Sequence, residues 1–61
     1  MEESLLTIQE ASKILSMKIS TLRAATFKRK IPFIKIGRLV RFRPKDLEEF
    51  IKSNSKPVKN D

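Results

Sequence analysis

Eleven lysine and arginine side chains fall between Ala11 and Lys45 of this 61-residue chain, and no carboxylate lies among them. The rest of the chain carries three basic residues against all seven acidic ones, so a net charge of +7 is concentrated in the middle. A one-sign field of this kind repels itself and disfavours the compact state unless a polyanion neutralises it. The chemistry it suits is charge-assisted hydrogen bonding to phosphate, the sequence-independent part of nucleic-acid binding. Turnover chemistry has little to work with. The chain has no His and no Cys, which removes the commonest general base and the usual zinc ligands, and its acids lie towards the two ends. No nucleophile–base pair is visible, and neither an enzyme nor a cofactor-dependent or metal-binding protein is expected. Without cysteine there is no disulfide framework either. The chain opens Met1-Glu2-Glu3-Ser4 and contains no long apolar run, so neither a signal peptide nor a membrane span is expected, and a cytoplasmic location follows.

These cations need elements to aim them. Thr7-Ile8-Gln9-Glu10 has the spacing of a capping box, and behind it Ile8, Ala11, Ile14 and Leu15 recur at helical spacing. A first helix over about 8–15 follows. Ser16-Met17-Lys18 interrupts the pattern and reads as a short turn with Met17 inward. A second helix begins at Ile19 or Ser20 and runs to Lys28 or Arg29, burying Leu22, Ala25 and Thr26. Ile31-Pro32 ends it, because proline cannot continue the ladder and pushes its predecessor out of the α region. Phe27 lies off the Leu22/Ala25 stripe and suits either a place under the next element or a face towards a neighbouring protomer.

Two β-rich runs, 33–36 and 39–43, flank the only glycine, Gly37, and read as a hairpin. Parity constrains its loop. A two-residue loop, Gly37-Arg38, sets Val40 and Phe42 on the face of Phe33 and Lys35. An odd loop gathers Ile34, Ile36, Val40 and Phe42 on one face and sends Lys35, Arg41 and Arg43 to the other. The odd loop separates apolar from cationic more cleanly, so it is the expected one, with Phe33 and Leu39 left exposed. Pro44 suits the first position of a third helix, and Asp46, Glu48 and Glu49 suit its positive N-terminal end. Leu47, Phe50 and Ile51 complete an expected core with Leu22, Ile34, Ile36, Val40 and Phe42. The expected layout is an N-terminal arm over 1–6, one domain over 7–52 and a disordered polar tail over 53–61.

The fold class expected is therefore α+β, a small winged helix-turn-helix. The residues also resemble a known group. Leu6-Thr7-Ile8-Gln9-Glu10-Ala11-Ser12-Lys13-Ile14-Leu15 is similar to the opening helix of the excisionase-like, MerR-related DNA-binding domains. Ser20-Thr21-Leu22-Arg23 resembles their second-helix start, Ile31-Pro32 through Lys35-Ile36-Gly37-Arg38 their approach to the wing, and Phe42 with Asp46-Leu47 their wing-to-helix junction. The likeness spans roughly residues 5–52. Three positions depart from it: Ser16 stands where the turn commonly has Gly, Lys18 where the second helix usually has a Ser cap, and Lys28-Arg29-Lys30 where a Gly-containing turn often precedes Ile-Pro. Ser20 is the alternative cap.

The resemblance implies that the second helix enters the major groove while the wing rides flanking backbone or minor groove. It implies a stand-alone form, since full MerR regulators continue into a long dimerisation helix. A helix docked in this way reads base edges near its N-terminal end, which selects Lys18, Ser20, Thr21, Arg23 and Ala24. Arg23 matches an arginine that the group uses against DNA and could contact phosphate or fork onto guanine. Lys28, Arg29 and Lys30 would meet phosphates at the helix exit. Lys35, Arg38 and Arg41 would serve the wing, and Arg43 would join them or cap the third helix. The partners implied are double-stranded DNA and an integrase or recombinase, with the protein monomeric in solution and assembling cooperatively on DNA. A small transcriptional regulator of a phage or mobile element is the alternative role. A module for RNA or an anionic membrane surface is the third, disfavoured by few exposed aromatics and no strong apolar face on the second helix.

Overall fold

The computed structural model describes residues 4–56, with the order α1 (Ile8–Leu15), α2 (Ile19–Phe27), β1 (Ile34–Ile36), β2 (Leu39–Arg41) and α3 (Pro44–Asn54). α1 starts where the capping box lies. The Thr7 hydroxyl accepts from the Glu10 N–H at 3.2 Å, and Glu10 Oε1 accepts from the Thr7 N–H at 2.8 Å. Both bonds satisfy donors that a helix start otherwise leaves orphaned.

Two left-handed turns bracket α2. Ser16 adopts φ 55°, and the N–H groups of Ser16 and Met17 reach back to the Lys13 and Ser12 carbonyls. Arg29 adopts φ 58°, and the N–H groups of Arg29 and Lys30 reach the Thr26 and Ala25 carbonyls at 2.9 Å. Each is the paired 5→2 and 6→1 closure of a Schellman motif, which favours glycine at its left-handed residue. The two positions where the resemblance expects Gly are thus left-handed here, with Ser16 and Arg29 bearing the conformational cost. Lys18 is the N-cap of α2 and makes no side-chain cap bond, having no acceptor to offer. Ser20 lies inside the first turn, so the alternative of a Ser20 cap is not adopted.

The hairpin corrects the expected register. Ile34 pairs with Arg41, Lys35 with Val40 and Ile36 with Leu39, which leaves the two-residue loop Gly37-Arg38. Gly37 has φ 58° at the first central position of that loop, where a type II′ turn calls for glycine. Turn chemistry therefore outweighs the cleaner polar–apolar separation. Val40 and Phe42 face inward with Phe33, which is half-buried rather than exposed, while Ile36 and Leu39 stand outward. Lys35 and Arg41 fall on opposite faces of the ribbon instead of sharing one.

Each helix gives the apolar core one buried residue, Ala11 from α1, Leu22 from α2 and Leu47 from α3, and Ile31 from the connector and Phe42 just after β2 complete it. Leu6, Ile8, Leu15, Met17, Ala25, Phe33, Val40 and Phe50 pack around them. Ile34 is half-buried, and Ile14, Ile36 and Ile51 are exposed, contrary to expectation. With so few elements, the apolar stripe of a helix is wider than the surface available to cover it. Ile31 takes a place in the core that the pattern did not suggest, because the turn at Arg29 directs it inward. Leu6 exchanges both backbone hydrogen bonds with Phe42, at 2.7 and 2.9 Å, so the end of the arm ties the base of the hairpin to the start of α1. Ser53 and Asn54 form the last turn of α3, and residues 57–61 of the expected tail lie outside the described residues.

Candidate nucleic-acid interface

α2 fixes the site through its buried side. Leu22 and Thr26 face the core, and the Thr26 hydroxyl is satisfied by donating to the Arg23 carbonyl at 2.8 Å. With that side anchored, Ser20, Thr21, Arg23, Ala24 and Phe27 are all exposed, as are Lys18 and Lys28 at the two caps. Ser20, Ala24 and Phe27 follow one another four and three residues apart, which places them in a single row along the outer side of the helix.

The hairpin lies beside this helix, and Arg23 stands at the junction. One groove is lined by Arg23 and Thr26 of α2, Arg38, Leu39, Val40 and Arg41 of the hairpin, and Thr7, Ile8 and Gln9 at the start of α1. A second is lined by Arg23, Thr26, Phe27, Arg29, Phe33, Lys35 and Val40. A third continues past the helix exit along Arg29, Lys30, Ile31, Pro32, Phe33 and Lys35. Six of the expected cations, Arg23, Arg29, Lys30, Lys35, Arg38 and Arg41, are thus gathered on adjoining grooves. None of the three grooves has an acidic lining residue.

The remaining expected residues are placed differently. Lys18, Ser20, Thr21, Ala24 and Lys28 lie on exposed α2 and its caps without lining these grooves. Arg41 is half-buried, and its guanidinium donates to the Val40 carbonyl at 2.8 Å, which holds the head group near the ribbon. Arg43 is the N-cap residue of α3, but it makes no side-chain cap bond and instead pairs with Asp46 at 3.6 Å. Sequence reasoning left Phe27 and Gln9 outside the site, although both line it. For Phe27 a usable signal existed, its spacing from Ser20 and Ala24. For Gln9 none did, because only the fold brings the start of α1 to the hairpin.

Among the described residues no helix is long and apolar enough to cross a membrane, and no group of three or more acidic, His or Cys side chains could hold a metal ion. No curated protein and no solved structure matches the chain. A family model described as a helix-turn-helix domain matches residues 5–55, a span that takes in all three helices and the hairpin. That match covers most of the chain, which therefore belongs to the helix-turn-helix domain family of DNA-binding modules.

Proposed function

We propose that this protein is a non-enzymatic, excisionase-like factor that binds specific double-stranded DNA and bends it beside an integrase or recombinase. The observation that carries this reading is the position of Arg23, shared by a groove with Arg38 and Arg41 and a groove with Arg29 and Lys35. α2 lies in the major groove, where Ser20, Thr21, Arg23 and Ala24 read base edges, with Lys18 beside them. Lys28, Arg29 and Lys30 hold phosphates at the helix exit. The hairpin is the wing, with Lys35, Arg38 and Arg41 on flanking backbone or minor groove and Arg43 at its margin. The MerR-like motifs around Leu6–Leu15 and Ile31–Arg38 support the same assignment. Each copy covers little DNA, since a single module of this kind buries about 600–1,000 Å². Cooperative loading of cytoplasmic monomers on repeated sites supplies the missing affinity.

The test is a gel-shift and anisotropy titration on DNA flanking the protein's own gene, against a scrambled duplex of equal length, at two salt concentrations. Stepwise shifts on native DNA that survive the higher salt, lost in Arg23→Ala, support the reading. Circular-permutation gels then separate bending from plain occupancy, and occupancy without bending would make the protein a transcriptional regulator using the same surface. Equal binding to both duplexes that disappears with salt would sink site-specific recognition and bring RNA or an anionic membrane forward.

A further inference from the structure

Phe27 is 89% exposed, the most exposed of the large apolar side chains among the described residues, and it closes α2 in the middle of the cationic surface. It has no structural duty there, because the core side of α2 is occupied by Leu22 and Thr26. A free aromatic ring held among cations keeps most of its burial energy in reserve for a ligand. Its neighbours say what kind of ligand. Arg23, Arg29 and Lys35 line the groove that Phe27 shares with Phe33 and Val40, so the occupant carries negative charge. A second copy of the chain is a poor fit, since it would bring a net charge of +7 against an equal one.

The row Ser20, Ala24, Phe27 narrows the choice further. Two small side chains let the helix approach a groove floor closely, and the ring then projects beyond them to whatever lies there. In the major groove of B-DNA the base edges present donors, acceptors and one apolar group, the C5-methyl of thymine. We propose that Phe27 reads thymine, packing its ring on C5-methyl groups in the major groove while Arg23 and Arg29 hold the adjoining backbone or guanine edges. This inference rests on α2 occupying the major groove, as the proposed function has it.

Replacing thymine by uracil removes the methyl group and leaves base pairing intact. The duplex flanking the protein's own gene is therefore prepared with dT or with dU throughout, and titrated with the wild-type protein, Phe27→Ala and Phe27→Leu. Because the ring is exposed, circular dichroism should show both variants folded like the wild type. The wild type should bind the dT duplex about fourfold more tightly for each methyl group it covers, the transfer free energy of one buried methyl. Phe27→Ala should bind more weakly and lose the distinction between the two duplexes, while Phe27→Leu should keep part of it.

Wild-type binding that is equal on dT and dU, yet still prefers native to scrambled sequence, would overturn the thymine reading and leave the proposed function standing. So would a Phe27→Ala variant that keeps the full preference for dT, because another group would then sense the methyl. Tighter binding to a single-stranded oligonucleotide, equal with dT or dU and dependent on Phe27, would instead assign the ring to base stacking. Failure to bind any duplex would overturn both readings together.

Discussion

At the scale of single residues, the cations of this surface are not equivalent. Arg23 faces two grooves and makes no ion pair among the described residues, so its guanidinium is available for a bidentate contact. Arg23→Ala should weaken binding to the preferred duplex by about 1–3 kcal/mol and relax its sequence preference, with unfolding stability changed by less than about 0.5 kcal/mol. Parallel anisotropy and urea titrations read the two quantities separately. Arg43 behaves differently because Asp46 already sits 3.6 Å from it, in an exposed pair of the kind worth about 0–1 kcal/mol. Asp46→Asn should free Arg43 and steepen the salt dependence of DNA binding by up to about one phosphate contact, a change of about 0.9 in slope. An unchanged slope would mean that Arg43 lies beyond the DNA footprint. Both arginines are visible in the sequence as cations of one basic stretch. What distinguishes them is a neighbour in the fold, which composition does not encode.

The elements carry their own costs. Ser16 and Arg29 sit at φ 55° and 58°, a left-handed conformation that costs a residue with a Cβ about 1–2 kcal/mol. Ser16→Gly should stabilise the domain by about 0.5–1 kcal/mol, the relief being partly offset by the greater unfolded-state freedom of glycine. That is a rise of about 2–8 °C in Tm, read by thermal unfolding. Arg29→Gly should give the same gain while weakening DNA binding, since Arg29 also lines the cationic grooves. Local chemistry of this kind is what made most of the fold legible. The Thr7/Glu10 capping box and Pro44 each act within a few residues, and α1 and the start of α3 lie where they indicate. By contrast α2 ends at Phe27, short of the expected Lys28 or Arg29, because the left-handed turn at Arg29 closes it before the Ile31-Pro32 stop is reached. The hairpin register was not legible from polarity, because its three-residue strands project past a core too small to cover Ile36 and Leu39, which remain 52% and 53% exposed. Periodicity assumes that apolar residues find cover. In so short a chain Ile14 and Ile51 do not.

For the molecule as a whole, the margins are thin and the charge is collective. Phe42 is the largest fully buried side chain and meets Leu6 through two backbone bonds, so it supports the core and the base of the hairpin together. Phe42→Ala should cost about 3–5 kcal/mol, a large fraction of the stability of any small domain, and leave a chain without a cooperative thermal transition. With six cations on adjoining grooves, log K for DNA should fall with log salt at a slope of about −5. A measured slope near −2 would mean that only part of the surface engages at one time. The wing has a further property set by its tip, where Gly37 and Arg38 close the ribbon and a side chain on Gly37 would meet nothing within 4 Å. One extra residue in that turn would bring Ile34 and Ile36 to the side of Val40 and Phe42 and send Phe33 and Lys35 the other way, whereas one extra residue in each strand preserves every facing. Along α2 each inserted residue would swing Arg23 by about 100° around the axis. Length polymorphism among chains of this plan should therefore arrive in even steps at the hairpin tip, and divergence along α2 by replacement alone.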